Sequence, residues 1–144
     1  LQMPGAKHKR PEVLFKGDAP AWYRKQWNIA VSHIIAMAKV ANVRVSKVEI
    51  HWHDDPARGK HCSLGEADSE GLTFCTNPSD EDTFIHEVAH LATPGQHGNQ
   101  WAECYYMLLR HFMSEAKMVS SIAEAMKTYP SVRKLVRFVD AQES

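Results

Sequence analysis

The sequence predicts an α+β domain, and three stretches carry that prediction. From Ala21 to about Val40, apolar residues recur at Trp27, Ala30, Val31, Ile34, Ile35, Ala38 and Ala41, the 3.6-residue period of an amphipathic helix. Val43 to His53 alternates instead, with Val48, Ile50 and Trp52 on one face and Glu49, His51 and His53 on the other, as in a half-buried strand. Ser79 to Ala92 returns to helical spacing, opened by acidic residues and closed by Thr93-Pro94-Gly95. The expected order is a long N-terminal helix, a small three-stranded sheet, a second helix against that sheet, and a helical C-terminal part.

Each element has its own signals. Residues 1–17 carry Pro4, Gly5, Pro11 and Gly17 among charges and read as an extended arm, leaving 18–144 as one domain. Asp18 is the expected N-cap of the first helix, with Pro20 in its first turn, and Asn42 closes it. Asp54 to Gly59 is rich in turn residues. His61 to Ala67 and Leu72 to Thr76 are the expected second and third strands. Ser79 and Asp82 resemble a capping box, and Asp80, Glu81 and Asp82 suit the positive end of the helix dipole. Gly98 to Lys117 reads as one helix, with Trp101, Cys104, Tyr105, Leu108 and Phe112 on a core stripe. Ser121 and Glu124 form a second capping box, Tyr129-Pro130-Ser131 breaks the helix it opens, and Val132 to Val139 is a last short helix.

Composition narrows the function classes. The chain has 144 residues, 44% hydrophobic and 24% charged, enough for one domain with a core of its own. Seventeen basic residues balance seventeen acidic ones, so the basic excess of a nucleic-acid binder is missing. Three cysteines, at 62, 75 and 104, form no Cys-x-x-Cys pair, which argues against a disulfide scaffold and fits a reducing compartment such as the cytoplasm. No apolar run reaches the ~18 residues of a membrane span.

The chemistry concentrates in His86-Glu87-Val88-Ala89-His90. On a helix, residues four apart advance about 6 Å and overshoot one turn by only ~40°, so His86 and His90 share a face and reach one small cation. Zinc suits nitrogen ligands and takes three protein ligands in catalytic sites, leaving a position for water. Glu87, next to the first ligand, is placed to take a proton from that water. With nine His in the chain, chance yields such a pattern on the order of a few per cent of the time, and the flanking cap and breaker reduce that further. A third ligand is needed. The spacing H-E-x-x-H-x-x-G-x-x-H fails, because Thr93 and Gln96 stand where it requires Gly and His. His97 is the candidate, reached when the chain doubles back after Pro94-Gly95. Glu103 lies about 120° off the face of His97 on a helix. Spacing leaves Glu115 open. Two accessory groups are considered. Tyr105, rather than Tyr106, leans toward the metal side as a hydrogen-bond donor. His51 and His53 read as a polar strand face beside a substrate groove rather than as a second metal site.

His86-Glu87-Val88-Ala89-His90, a Pro-Gly turn, then His97-Gly98-Asn99-Gln100-Trp101 resembles the H-E-x-x-H…H-G-x-x-[FW] signature of SprT-like metallopeptidases. The chain looks most like their small single-domain versions in bacteria and phages, the minigluzincins, with the match running from about Leu72 to Phe112. The resemblance implies a zincin-like fold, Zn2+ held by His86, His90 and His97, and Glu87 as general base. No Cys-x-x-Cys pair follows the catalytic part, so substrates tied to the zinc ribbon of full-length SprT proteins are not carried over. The expected function is hydrolysis of peptide bonds in a protein or peptide substrate, in the cytoplasm, or in host cytoplasm or a virion for a phage protein. The alternative is a structural or phage-particle assembly protein that keeps the metal-stabilised fold and contacts phage structural proteins.

Overall fold

The computed structural model describes residues 9–58 and 64–143, which form five helices and a four-stranded mixed sheet. The first strand, β1 (Glu12–Lys16), leads through α1 (Ala21–Val40) to β2 (Lys47–His51). β1 and β2 pair in parallel, with Glu12 opposite Lys47 and Lys16 opposite His51. Parallel neighbours need a crossover, and α1 supplies it. Here the structure departs from the sequence reading. Part of the expected arm is an edge strand, and the sheet has four strands rather than three. Val13, Leu14 and Phe15 are half-buried in it.

α1 presents Trp27, Val31 and Ile34 to the core as fully buried side chains. Its start is not capped by Asp18. The Pro20 carbonyl accepts from the N–H groups of Tyr23 and Arg24, both at 3.1 Å, while the Asp18 N–H donates to Asp54 Oδ1 at 3.0 Å. Its end is as expected. Asn42 adopts φ +55°, its N–H reaches the Lys39 carbonyl, and the Val43 N–H reaches back to Ala38. That pair of bonds is a Schellman motif, with Asn tolerating the left-handed position.

The sheet continues from β2 to β4 (Gly71–Phe74), again parallel, and ends with β3 (Gly65–Asp68), antiparallel to β4. A tight turn joins β3 to β4. Asp68 Oδ1 accepts from the N–H groups of Glu70 (2.8 Å) and Gly71 (3.1 Å). Gly71 has φ +152°, and a Cβ there would lie 2.1 Å from the Lys47 carbonyl oxygen, so only glycine fits. The strand expected over His61 to Ala67 begins at Gly65; His61 and Cys62 lie outside the described residues.

α2 (Glu81–Ala92) lies against the sheet, α1 and α3 (Asn99–Phe112). Phe84, Ile85, Val88 and Ala89 are buried along it. Phe84 meets Trp27 and Phe74 with ring centroids 5.4 and 5.2 Å apart, and Trp27 stacks on Phe74 at 5.5 Å. Burying a side chain of this size contributes about 1.5–3 kcal/mol, so this aromatic cluster fixes α2 firmly on the sheet. The helical region after it divides differently from the expectation. α3 stops at Phe112, and α4 (Glu115–Thr128) starts afresh with Ser114 Oγ accepting from the Lys117 N–H at 3.3 Å. Ser121 therefore lies inside α4 and caps nothing. α5 (Pro130–Glu143) begins with proline at its first position, where the missing N–H costs no bond, and runs past the expected ends. Among the described residues no helix is long and apolar enough to cross a membrane.

Candidate metal centre

α2 is anchored at its start by Asp80, not Ser79. Asp80 Oδ1 accepts from the Thr83 N–H at 3.3 Å, and Oδ2 accepts the hydroxyls of Thr83 (2.7 Å) and Thr76 (2.6 Å). Ser79 turns to Asn77 instead, and Asp82 accepts the Tyr105 hydroxyl at 2.6 Å. At its other end the helix stops at Thr93, and Gly95 at φ +118° turns the chain back, as Pro94-Gly95 foretold.

That turn brings the third histidine home. His97 Nε2 lies 2.8 Å from His90 Nε2 and 3.0 Å from His86 Nε2. One ligand atom from each of His86, His90 and His97 falls within 4.8 Å of the others, and among the described residues no other group of three or more such side chains does so. The three histidines can hold one metal ion. Glu103 and Glu115 are exposed and are not part of the group. A metal ion shared by the three would require the His97 nitrogen to part only slightly from those of His90 and His86, now 2.8 and 3.0 Å away.

The rings are held by aromatic neighbours. Trp101, 1% exposed, stacks on His90 (5.4 Å, 27°) and meets His97 and His86 edge-on at 4.6 and 4.9 Å. Its indole N–H donates to the His86 carbonyl at 3.3 Å. Tyr129, between α4 and α5, stacks on His97 at 4.2 Å and 22°. Ser131 Oγ donates to the His97 carbonyl at 2.8 Å. The third ligand is thus gripped from α3 on one side and from the α4–α5 junction on the other.

Glu87 is 7% exposed, with Oε2 4.0 Å from His86 Nε2. Burial, with the Glu66 carboxylate adding to it, pushes its carboxyl up to about 7. Burial and the neighbouring ring charges drive His86 down to about 3. Burial and His97 drive His90 to about 4, against a bond to the Gly95 backbone that works the other way. Burial lowers His97 as well. All three imidazoles are therefore neutral and ready to ligate at neutral pH. Two cavities of about 440 and 460 Å³ flank the triad and share Gly65, His86, Glu87 and His97. One is walled by β3, the other by α4 and Tyr129.

The accessory candidates fare differently. Tyr105 is 3% exposed and stacks on Trp101, and its hydroxyl is committed to Asp82, so it has no donor left for a substrate. Tyr129, which the sequence reading took only as part of a helix break, lines the cavity with Glu87. An aromatic next to a proline-marked junction was the sole sequence signal. Burial, then the charges of Glu87 and Asp82, raises the Tyr129 hydroxyl, which keeps it protonated. His51 does not front the groove. It is 4% exposed, with Nε2 2.8 Å from Glu49 and Nδ1 bonded to Asp55, two strands away from β3. His53 packs its ring against Trp52.

No family model matches the chain, and no curated protein or solved structure is significantly similar to it.

Proposed function

We propose that this chain is a zinc-dependent metallopeptidase of zincin-like fold that cuts inside extended protein or peptide chains. The observation that carries the reading is the convergence of three neutral imidazoles beside a buried carboxylate in an open groove. Nitrogen-only ligation by His86, His90 and His97 fits zinc, which when bound lowers the pKa of its water and polarises a carbonyl. Glu87 is the general base. Standing beside His86, its carboxylate can accept a proton from water and then pass it to the leaving amine. The Tyr129 hydroxyl is the donor for the oxygen that gains charge. Cavities on both sides of Glu87 let a chain run through rather than end there. β3 leaves one edge without a partner strand among the described residues, a place for extended substrate to lie.

A scaffold that used metal only for stability would need the histidines but no carboxylate buried beside them. Glu87 therefore favours the enzyme over the assembly protein. Glu87→Gln is the test. It should keep metal and melting temperature and lose turnover of an unfolded protein substrate by roughly 10²–10⁴-fold. Equal turnover in both forms, or none in the wild type across varied unfolded substrates, would replace this reading with the scaffold.

A further inference from the structure

We propose that Gly65 is a positioning residue for Glu87, and that the absence of a side chain there sets where the base stands. This rests on the peptidase reading for its functional meaning, but its geometry stands alone. Gly65 opens β3 at the point where that strand crosses α2. A Cβ on Gly65 would lie 2.8 Å from Thr83 Cγ2, 2.9 Å from Glu87 Cγ and 3.2 Å from Glu87 Oε2. The first two are closer than carbon atoms can approach, so the strand must edge away from both side chains or each must give.

The two neighbours are not equally free. Thr83 is β-branched, and its hydroxyl and N–H both bond Asp80, which also holds Thr76. Rotating Thr83 away would break its hydroxyl bond to Asp80 at the start of α2. Glu87 makes no side-chain hydrogen bond among the described residues, and its Oε2 stands 4.0 Å from His86 Nε2. Packing alone holds its carboxylate, and β3 forms one wall of that packing. An added methyl at residue 65 therefore displaces Glu87 most, and it meets none of the three histidines among its three nearest atoms. A shift of about 1 Å in a reacting group can cost 10²-fold in rate.

The test is Gly65→Ala in the full chain, loaded with zinc. A crystal structure should show the His triad unmoved and the Glu87 carboxylate displaced by about 1 Å. Metal content should match wild type, and kcat should fall about 10²-fold with KM little changed. Gly65→Ala/Thr83→Ser removes the 2.8 Å contact while keeping the hydroxyl, and should recover part of the lost kcat. A Glu87 carboxylate that superposes on wild type in the Gly65→Ala structure would overturn the proposal. A wild type without turnover would sink the peptidase reading and leave the crystallographic comparison decisive for Gly65. Should Gly65→Ala fail to fold, Gly65→Ala/Thr83→Ser with and without Glu87→Ala decides, since the first pair leaves only the Glu87 contact: recovery that needs Glu87→Ala supports the clash with Glu87, and failure of both refutes it.

Discussion

Tyr105→Phe separates a structural tyrosine from a catalytic one. The substitution removes a single oxygen. The ring keeps its stacking on Trp101, 4.9 Å away and 13° from parallel. What is lost is the 2.6 Å bond to Asp82 Oδ1, made by a side chain only 3% exposed. A hydrogen bond to a charged group is worth about 1.5–3 kcal/mol. For a domain of this size that corresponds to a fall of about 4–9 °C in melting temperature. The cost also has a pH signature. Burial already raises Asp82 above 3.8, the Tyr105 bond partly opposes that, and its loss raises Asp82 further. A carboxyl raised in the folded state favours folding when protonated, and that favour is lost as pH rises through the folded pKa. The difference between wild type and Tyr105→Phe should thus be largest at neutral pH and shrink below pH 3.8. Thermal melts followed by circular dichroism measure it. Hydrolysis at matched metal content, well below melting, should stay within threefold, whereas Tyr129→Phe should lose about 10²–10³-fold with little change in melting. An unchanged melting temperature for Tyr105→Phe, or a rate loss greater than for Tyr129→Phe, would refute the division of roles.

Four further outcomes are expected. Replacing His86, His90 or His97 with Ala should abolish tight metal binding, whereas Glu115→Ala should keep it; metal analysis after gel filtration decides. Because burial holds His86 near 3 and His90 near 4, protons compete weakly for those two ligands. Metal should stay bound well below pH 6.5, as dialysis across pH 4–7 would show. In metal-free protein the same depressed histidines cost stability as pH falls below 6.5, while Glu87, raised to about 7, contributes stability below 4.5 that is lost as pH rises through 7. Asp80→Ala should lower stability by about 1–2 kcal/mol and Ser79→Ala by no more than about 0.5, in denaturant titrations; equal losses would restore Ser79 as the cap.

The sequence was most readable where geometry is local. His86 and His90 share a helical face whatever surrounds them, and Pro94-Gly95 forces a reversal that His97 completes. α1 was legible because its apolar period runs for twenty residues. The failures arose where distant partners decide. Glu12–Lys16 looked like an arm because its pairing with β2 waits on a whole helix of intervening chain. Asp80 beat Ser79 as the cap because Thr76, outside the helix, shares its carboxylate. The break between α3 and α4 was obscured by the apolar Phe112 and Met113, which prolong the helical pattern. Tyr129 and Ser131 reach His97 from the far end of the chain, and nothing near His97 in sequence announces them.

The grip of Tyr129 and Ser131 on His97 also orders events in time. His86 and His90 are together as soon as α2 forms, so a growing chain offers a metal two ligands early. Trp101 meets the third from α3, and the α4–α5 junction, more than thirty residues later, completes its hold. A complete hold on His97 therefore needs nearly the whole chain. In refolding experiments the metal signal should lag the helical signal, and a chain stopped before residue 129 should fold its sheet and α2 yet exchange its metal freely.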